Sequence, residues 1–214
     1  TRRGSYCMIA TGKESPSFPD SPEIVSIITP AYKASAYIDE TIGSVLAQTH
    51  QNWELLIADD CSPDNTSEIV SRWATIDSRI KLIKMERNGG PAAARNGALA
   101  QARGRWIAFL DSDDLWLPRK LERTLNVAKA NGSALVFTGF RRITADSSHT
   151  GRYIGVPQSL SYHQLLGNTA IATSTVVLDR QQTGDIRMRS TYYDDFDCWL
   201  QILKRGLRAT GIDE

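Results

Sequence analysis

The chain has 214 residues, 41% hydrophobic and 23% charged, and its 25 Lys+Arg against 24 Asp+Glu leave a formal net charge of +1. That is the size and composition of one globular domain that can bury a core without disulfides or a structural metal. The near-neutral balance offers no global basic field to nucleic acid or an anionic membrane, and 15 glycines with 8 prolines exclude collagen-like and low-complexity classes.

Residues 1–22 are polar and punctuated by Ser15-Pro16, Phe18-Pro19 and Ser21-Pro22, which predicts a flexible leader ahead of a domain over 23–214. The run Ile24-Val25-Ser26-Ile27-Ile28 predicts a buried strand ended by Thr29-Pro30. Ile38, Ile42, Val45 and Leu46 then share one helical face. A second strand is expected over residues 53–58, ended by Asp59-Asp60, and a second helix from about Thr66, with Ile69, Val70, Trp73 and Ala74 inward. A third strand covers 80–85. Gly89-Gly90 turns the chain into a helix that Pro91 opens and that runs through Ala102. A fourth strand over 106–110 ends in Asp111-Ser112-Asp113-Asp114. Pro118 opens a further helix with Leu121, Leu125 and Ala128 aligned, and residues 134–138 form a fifth strand. Residues 141–168 are polar with scattered aromatics. Beyond them, 171–178 reads as a strand and 195–203 as a helix with Phe196, Trp199, Leu200 and Leu203 on one face. Strands alternating with amphipathic helices predict an α/β fold with a mostly parallel central sheet.

Cysteines at 7, 61 and 198 form no CxxC pair and no even disulfide framework, which points to a reducing cytoplasm. No apolar run approaches the ~18 residues of a membrane helix. The histidines at 50, 149 and 163 lie in polar surroundings and read as surface residues.

In an open α/β sheet, ligands bind beyond the carboxyl ends of the strands. Each early strand here ends in polar residues: Thr29-Pro30-Ala31-Tyr32-Lys33, Asp59-Asp60, the segment leading to Gly89-Gly90, and Asp111-Ser112-Asp113-Asp114. A helix cap explains one aspartate of the last group. Three in four residues repel one another unless a cation is shared, and hard oxygens suit Mg²⁺ or Mn²⁺. Asp60 can serve as turn chemistry or as an acceptor for a ribose hydroxyl or base N–H, its side chain then pointing into the cleft. Gly90 opens a helix whose N-terminus can receive a phosphate, with Arg95 one turn in; a plain close-packed turn is the alternative. The sequence contains neither GxxxxGK[ST] nor GxGxxG. Asp194, Asp195 and Asp197 open the last helix, where capping accounts for one acid and general-base chemistry for another.

The blocks VSIITPAYKASAYIDETIGSVLAQTHQNWELLIADDCSPDNT, NGGPAAARNGALAQARGRWIAFLDSDDLWLP and DDFDCWLQILKRG, in that order, resemble a family 2 glycosyltransferase of the GT-A fold over about residues 23–206. Within the family the chain is most similar to bacterial enzymes that build teichuronic acid, capsule or O-antigen. The resemblance implies that Thr29, Pro30, Ala31 and Tyr32 line the nucleotide pocket, with Lys33 in place of the usual Asn. It implies that Asp60 binds the uracil side, with Cys61 in place of Gly. It implies that Asp111, Ser112 and Asp113 form the element that meets the diphosphate, Asp111 and Asp113 holding Mg²⁺ or Mn²⁺. Asp194-Asp195 aligns with the family's Glu-Asp pair, which makes Asp195 the base, with Asp194, a shorter carboxylate than the family's Glu, as the alternative; side chains about 100° apart at a helix start favour Asp194 as a cap or acceptor-orienting residue.

The activity so implied is inverting transfer of a sugar from a nucleotide-diphospho-sugar, a UDP-sugar, to a hydroxyl of a saccharide or lipid-linked saccharide. It would occur in the cytoplasm at the inner face of the plasma membrane, the acceptor bringing peripheral membrane association and nucleic acid playing no part. Relatives continue beyond the last helix into elements that cover the acceptor, so the expectation is a domain truncated there. Two rivals remain. A sugar nucleotidyltransferase would need a glycine-rich phosphate loop after strand one, where Pro30 and Tyr32 stand. A non-catalytic binding module would bind UDP and never turn over a UDP-sugar.

Overall fold

The computed structural model describes residues 23–144, 147–167 and 170–213. The expected leader, 1–22, lies outside the described residues. In chain order the main elements are β1 (Val25–Ala31), α1 (Ile38–Leu46), β2 (Trp53–Asp59), α2 (Thr66–Ile76), β3 (Ile80–Lys84), α3 (Pro91–Leu99), β4 (Trp106–Phe109), α4 (Lys120–Asn131) and β5 (Leu135–Thr138). A hairpin of β6 (Phe140–Ile143) and β7 (Thr150–Ile154) follows, then β8 (Ser159–Leu160), α5 (Tyr162–Leu166), a 3₁₀ turn (Thr173–Thr175), β9 (Val177–Asp179), α6 (Arg180–Thr183), α7 (Asp194–Lys204) and β10 (Ala209–Ile212).

Eight strands form one sheet in the order β3-β2-β1-β4-β9-β5-β10-β8. The first four pair in parallel, so their carboxyl ends share one edge. β9 enters antiparallel between β4 and β5, while β10 runs parallel to β5. The architecture is α/β with a mostly parallel centre. Successive residues of β1 and β2 face opposite sides. Ile28 and Leu56 pack beneath α3 and α7; Ile27 and Leu55 pack beneath α1 and α4. Burial on both faces explains why these strands read as continuous apolar runs.

Three local expectations change. β1 does not stop at Thr29-Pro30 but pairs with β2 through Ala31. Ile28 O accepts from Leu110 N and Ala31 O from Asp60 N, so Pro30 faces the β4 side, and β4 has ended by then. The donor that proline lacks is therefore not needed. Residues 171–178 do not form one strand. The Thr175 hydroxyl donates to Ala172 O at 2.6 Å and Val176 N to Thr173 O at 3.1 Å, closing a turn ahead of β9. Ser and Thr side chains compete for backbone groups in this way. The buried stripe of α7 is Cys198, Trp199, Ile202 and Leu203, with Phe196 and Leu200 half-buried. Trp199 meets Phe109 edge-on at 5.3 Å, which anchors α7 against the end of β4.

At the opposite edge of the sheet, buried Glu54 accepts from Ser26 Oγ at 2.7 Å, Arg103 N at 2.8 Å and Lys81 Nζ at 3.0 Å. Burial raises its pKa, and these donors outweigh burial and hold it below the usual value.

Candidate active site

A cleft of about 460 Å³ opens at the carboxyl edge of β1, β2 and β4. Pro30, Ala31, Tyr32, Asp60, Gly90, Arg95, Asp111, Ser112 and Asp113 all line it, as do Asn88, Pro91 and Ala94. Thr29 is fully buried and does not reach the cleft. A trough of similar size, about 480 Å³, runs along α7 past Tyr162, Arg187 and Leu200, and no strand-end residue borders it. The chemistry therefore centres on the first cleft.

Two of the three non-glycine residues with positive φ among the described residues lie at the strand ends beside the cleft. Lys33 has φ 54° and Cys61 has φ 61°, at the ends of β1 and β2. These are the positions where Lys replaces Asn and Cys replaces Gly, the residue types best suited to that conformation. Gly90, at φ 82°, is the residue ahead of α3, and Pro91 supplies the first helical position.

Asp60 does not extend freely into the cleft. Its Oδ1 accepts from Gly89 N at 2.9 Å and its Oδ2 from Gly90 N at 2.7 Å, while Asn88 Nδ2 donates to its carbonyl at 2.9 Å. The carboxylate is the brace of the glycine turn and is only 3% exposed.

Arg95 is buried against the cleft wall. Its Nη2 meets Asp111 Oδ1 at 2.7 Å and its Nη1 meets Asp194 Oδ2 at 2.9 Å. Burial opposes the charge of the guanidinium, and Asp111 and Asp194 more than restore it, leaving its pKa raised. Asp111 is pushed up by burial; Arg95 opposes that shift, and the neighbouring charges of Asp113 and Asp195 reinforce it. One cation thus serves the acids of two elements.

Asp194 Oδ1 accepts the Asp195 N–H at 3.0 Å. Asp195 is less enclosed: Oδ1 accepts from Phe196 N at 2.7 Å and Oδ2 from the Thr173 hydroxyl at 2.5 Å. The 3₁₀ turn also supplies Ser174, whose hydroxyl accepts from Asp111 N at 3.0 Å and donates to Asp114 Oδ2 at 2.5 Å. Thr173 and Ser174 therefore brace both acid clusters. Sequence reasoning missed them, because an apolar run containing Thr and Ser carries no mark of the acids it will meet.

Among the described residues no group of three or more His, Cys, Asp or Glu could hold a metal ion by itself. Asp111 and Asp113 supply two hard-oxygen donors at the cleft, a set that fits a divalent cation completed by phosphate and water. Among the described residues no helix is long and apolar enough to cross a membrane.

The family model for glycosyl transferase family 2 matches residues 26–185. The chain belongs to that family. It is 44% identical over 192 residues to the putative teichuronic acid biosynthesis glycosyltransferase TuaG of Bacillus subtilis, covering 89% of this chain and 76% of the relative. It is 43% identical over 181 residues to the glucosyltransferase WfgD of Escherichia coli, covering 85% and 70%. Among solved structures, Staphylococcus aureus TarS 1–349 in complex with UDP superposes with TM-score 0.69 at 24% identity, over 89% of this chain and 58% of that one. The mannosyltransferase PcManGT of Pyrobaculum calidifontis, in complex with GDP-Man and Mn²⁺, gives TM-score 0.69 at 22% identity, over 94% and 59%. The chain thus spans less than two thirds of those two structures. At these identities the superpositions establish the shared GT-A-like fold of this family 2 glycosyltransferase.

Proposed function

We propose that the chain transfers a sugar from a UDP-sugar to a hydroxyl of a lipid-linked saccharide, inverting the anomeric carbon, in cell-surface polysaccharide assembly at the cytoplasmic face of the membrane. The observation that carries the proposal is the convergence of Tyr32, the Asp60-braced glycine turn and Asp111–Asp113 on one cleft, with Asp195 reached through Arg95 and Asp194. The relatives support the substrate class. WfgD is described as a UDP-Glc:alpha-D-GlcNAc-diphosphoundecaprenol beta-1,3-glucosyltransferase, and TuaG as a teichuronic acid enzyme.

The residues divide the work. Tyr32 and the turn at Gly89-Gly90 shape the nucleotide end, and the amides that open α3 face a phosphate. Asp111 and Asp113 would hold Mg²⁺ or Mn²⁺, which when bound offsets the charge developing on the leaving diphosphate. Asp195 accepts the proton of the acceptor hydroxyl while that oxygen attacks the anomeric carbon and the bond to UDP breaks from the opposite face. An α-linked donor then yields a β-linked product. Asp194 is the weaker candidate for base, because its Oδ2 is held by the Arg95 guanidinium at 2.9 Å and its Oδ1 by the Asp195 N–H, which leaves neither oxygen free for an acceptor hydroxyl.

Calorimetric titration of UDP with Mg²⁺ and with EDTA, followed by turnover of a nucleotide-sugar panel, tests the proposal. Tighter binding with the cation and release of UDP from one donor are expected. Equal affinity in EDTA would remove the metal role of Asp113. UDP binding without turnover of any donor would leave a binding module.

A further inference from the structure

We propose that Arg95 is a positioning residue that sets the acceptor base, by tying the acids at the end of β4 to the first turn of α7. The inference rests on the glycosyltransferase reading. Arg95 reaches Asp111, 16 residues on, through Nη2 and Asp194, 99 residues on, through Nη1. Asp194 passes the constraint to its neighbour, since its Oδ1 accepts the Asp195 N–H at 3.0 Å. Thr173 then holds the Asp195 carboxylate. A continuous line of contacts therefore runs from the phosphate-facing acid to the base, and Arg95 is its only cationic member.

The manner of its burial argues for placement over stability. Arg95 is 6% exposed, and its Nε is buried without a hydrogen-bond partner. A buried ion pair gains little net stability over apolar packing, and an orphaned donor lowers that gain further. What a guanidinium does provide is a planar fork that grips two carboxylates in fixed relative positions. A lysine at 95 would carry the same charge on one nitrogen and hold a single carboxylate well. The two acids it joins belong to opposite ends of the reaction, Asp111 to the departing diphosphate and Asp194 to the attacking hydroxyl. Misplacing a reacting group by an ångström costs about 10²-fold in rate.

The test is a double-variant cycle of Arg95→Lys and Asp194→Asn, reading the transfer kcat, acceptor KM, melting midpoint and UDP affinity in EDTA. If Arg95 acts through Asp194, each variant lowers kcat by about 10²-fold and keeps UDP affinity within about threefold, and the double variant is no worse than the worse single one. Multiplied losses in the double variant would overturn the inference. So would a loss of UDP affinity in Arg95→Lys as large as its loss of kcat, since Arg95 would then be a nucleotide ligand. If Arg95→Lys does not fold, Asp194→Asn decides alone: full transfer activity overturns the inference, and a large kcat loss with UDP affinity retained supports it. A wild-type chain that turns over no UDP-sugar refutes the glycosyltransferase reading and the inference with it, whereas an active wild type with multiplied losses refutes the inference alone.

Discussion

Replacing Asp60 by alanine removes the brace of the glycine turn and is the sharpest probe of how the cleft is built. The carboxylate accepts two backbone N–H groups, from Gly89 at 2.9 Å and Gly90 at 2.7 Å. Hydrogen bonds to a charged acceptor contribute about 1.5–3 kcal/mol each. Gly89 is exposed and its N–H regains water in the variant, so most of the loss falls on half-buried Gly90. The net destabilisation is then roughly 2 kcal/mol, which for a domain of this size lowers the melting midpoint by about 4–8 °C. Loosening the turn also releases the start of α3, and UDP affinity should fall about tenfold, equivalent to 1.4 kcal/mol. Asp60→Asn keeps one acceptor oxygen but turns an NH₂ toward the other amide, so it should lie between wild type and alanine. Thermal unfolding by circular dichroism and titration calorimetry supply both numbers. An unchanged melting midpoint for Asp60→Ala would refute the bracing role. Weaker UDP binding with no loss of stability would mean that the carboxylate meets the nucleotide directly.

Asp195→Asn should reduce transfer by about 10²–10⁴-fold while UDP binding is retained, and a fully active variant would place the base outside this pair. Iodoacetamide at pH 8, read by peptide mass spectrometry, should alkylate exposed Cys61 and spare Cys198, whose thiol is pushed up to about 12 by burial and by the neighbouring charges of Asp197, Asp194 and Asp195. Equal labelling of the two would show that α7 opens in the native protein. Lys120, whose Nζ is buried 4.1 Å from the Trp116 ring without a hydrogen-bond partner, is lowered by burial from 10.5 to about 7. The folded state thus favours the neutral amine, and its penalty grows as pH falls from 10.5 toward 7. Lys120→Met should therefore raise the melting midpoint more at pH 7 than at pH 10. A gain independent of pH would refute burial as the cause.

The site was legible wherever it sits at the end of a strand. Tyr32, Asp60 and Asp111–Asp113 follow closely on apolar runs, Gly90 lies on the loop that leaves β3, and a parallel sheet must bring such ends to one edge. Side-chain direction was not legible. Whether Asp60 faces a ligand or a turn depends on Gly89 and Gly90, 29 and 30 residues later. Arg95 has the spacing of a phosphate ligand, yet in the folded chain its two terminal nitrogens meet carboxylates.

By itself the sequence determined the alternation of strands and helices through residue 138, because each element there carries a hydrophobic period its neighbours cannot share. Beyond that point only α7 carries a clear helical period, and the strands are short. The β6–β7 hairpin, β8 and β10 lie in polar stretches, and β9 has only 3 residues. β8, β9 and β10 take places in the main sheet that long-range hydrogen bonding fills, whereas β6 and β7 pair only with each other. Only the tertiary structure set β9 antiparallel between β4 and β5, and with it the 3₁₀ turn whose Thr173 and Ser174 reach both acid clusters. The same packing, Trp199 against Phe109, brings the start of α7 to the end of β4. Local periodicity specifies which face of an element is buried, whereas the meeting of two distant acids on one arginine depends on how several such faces pack together.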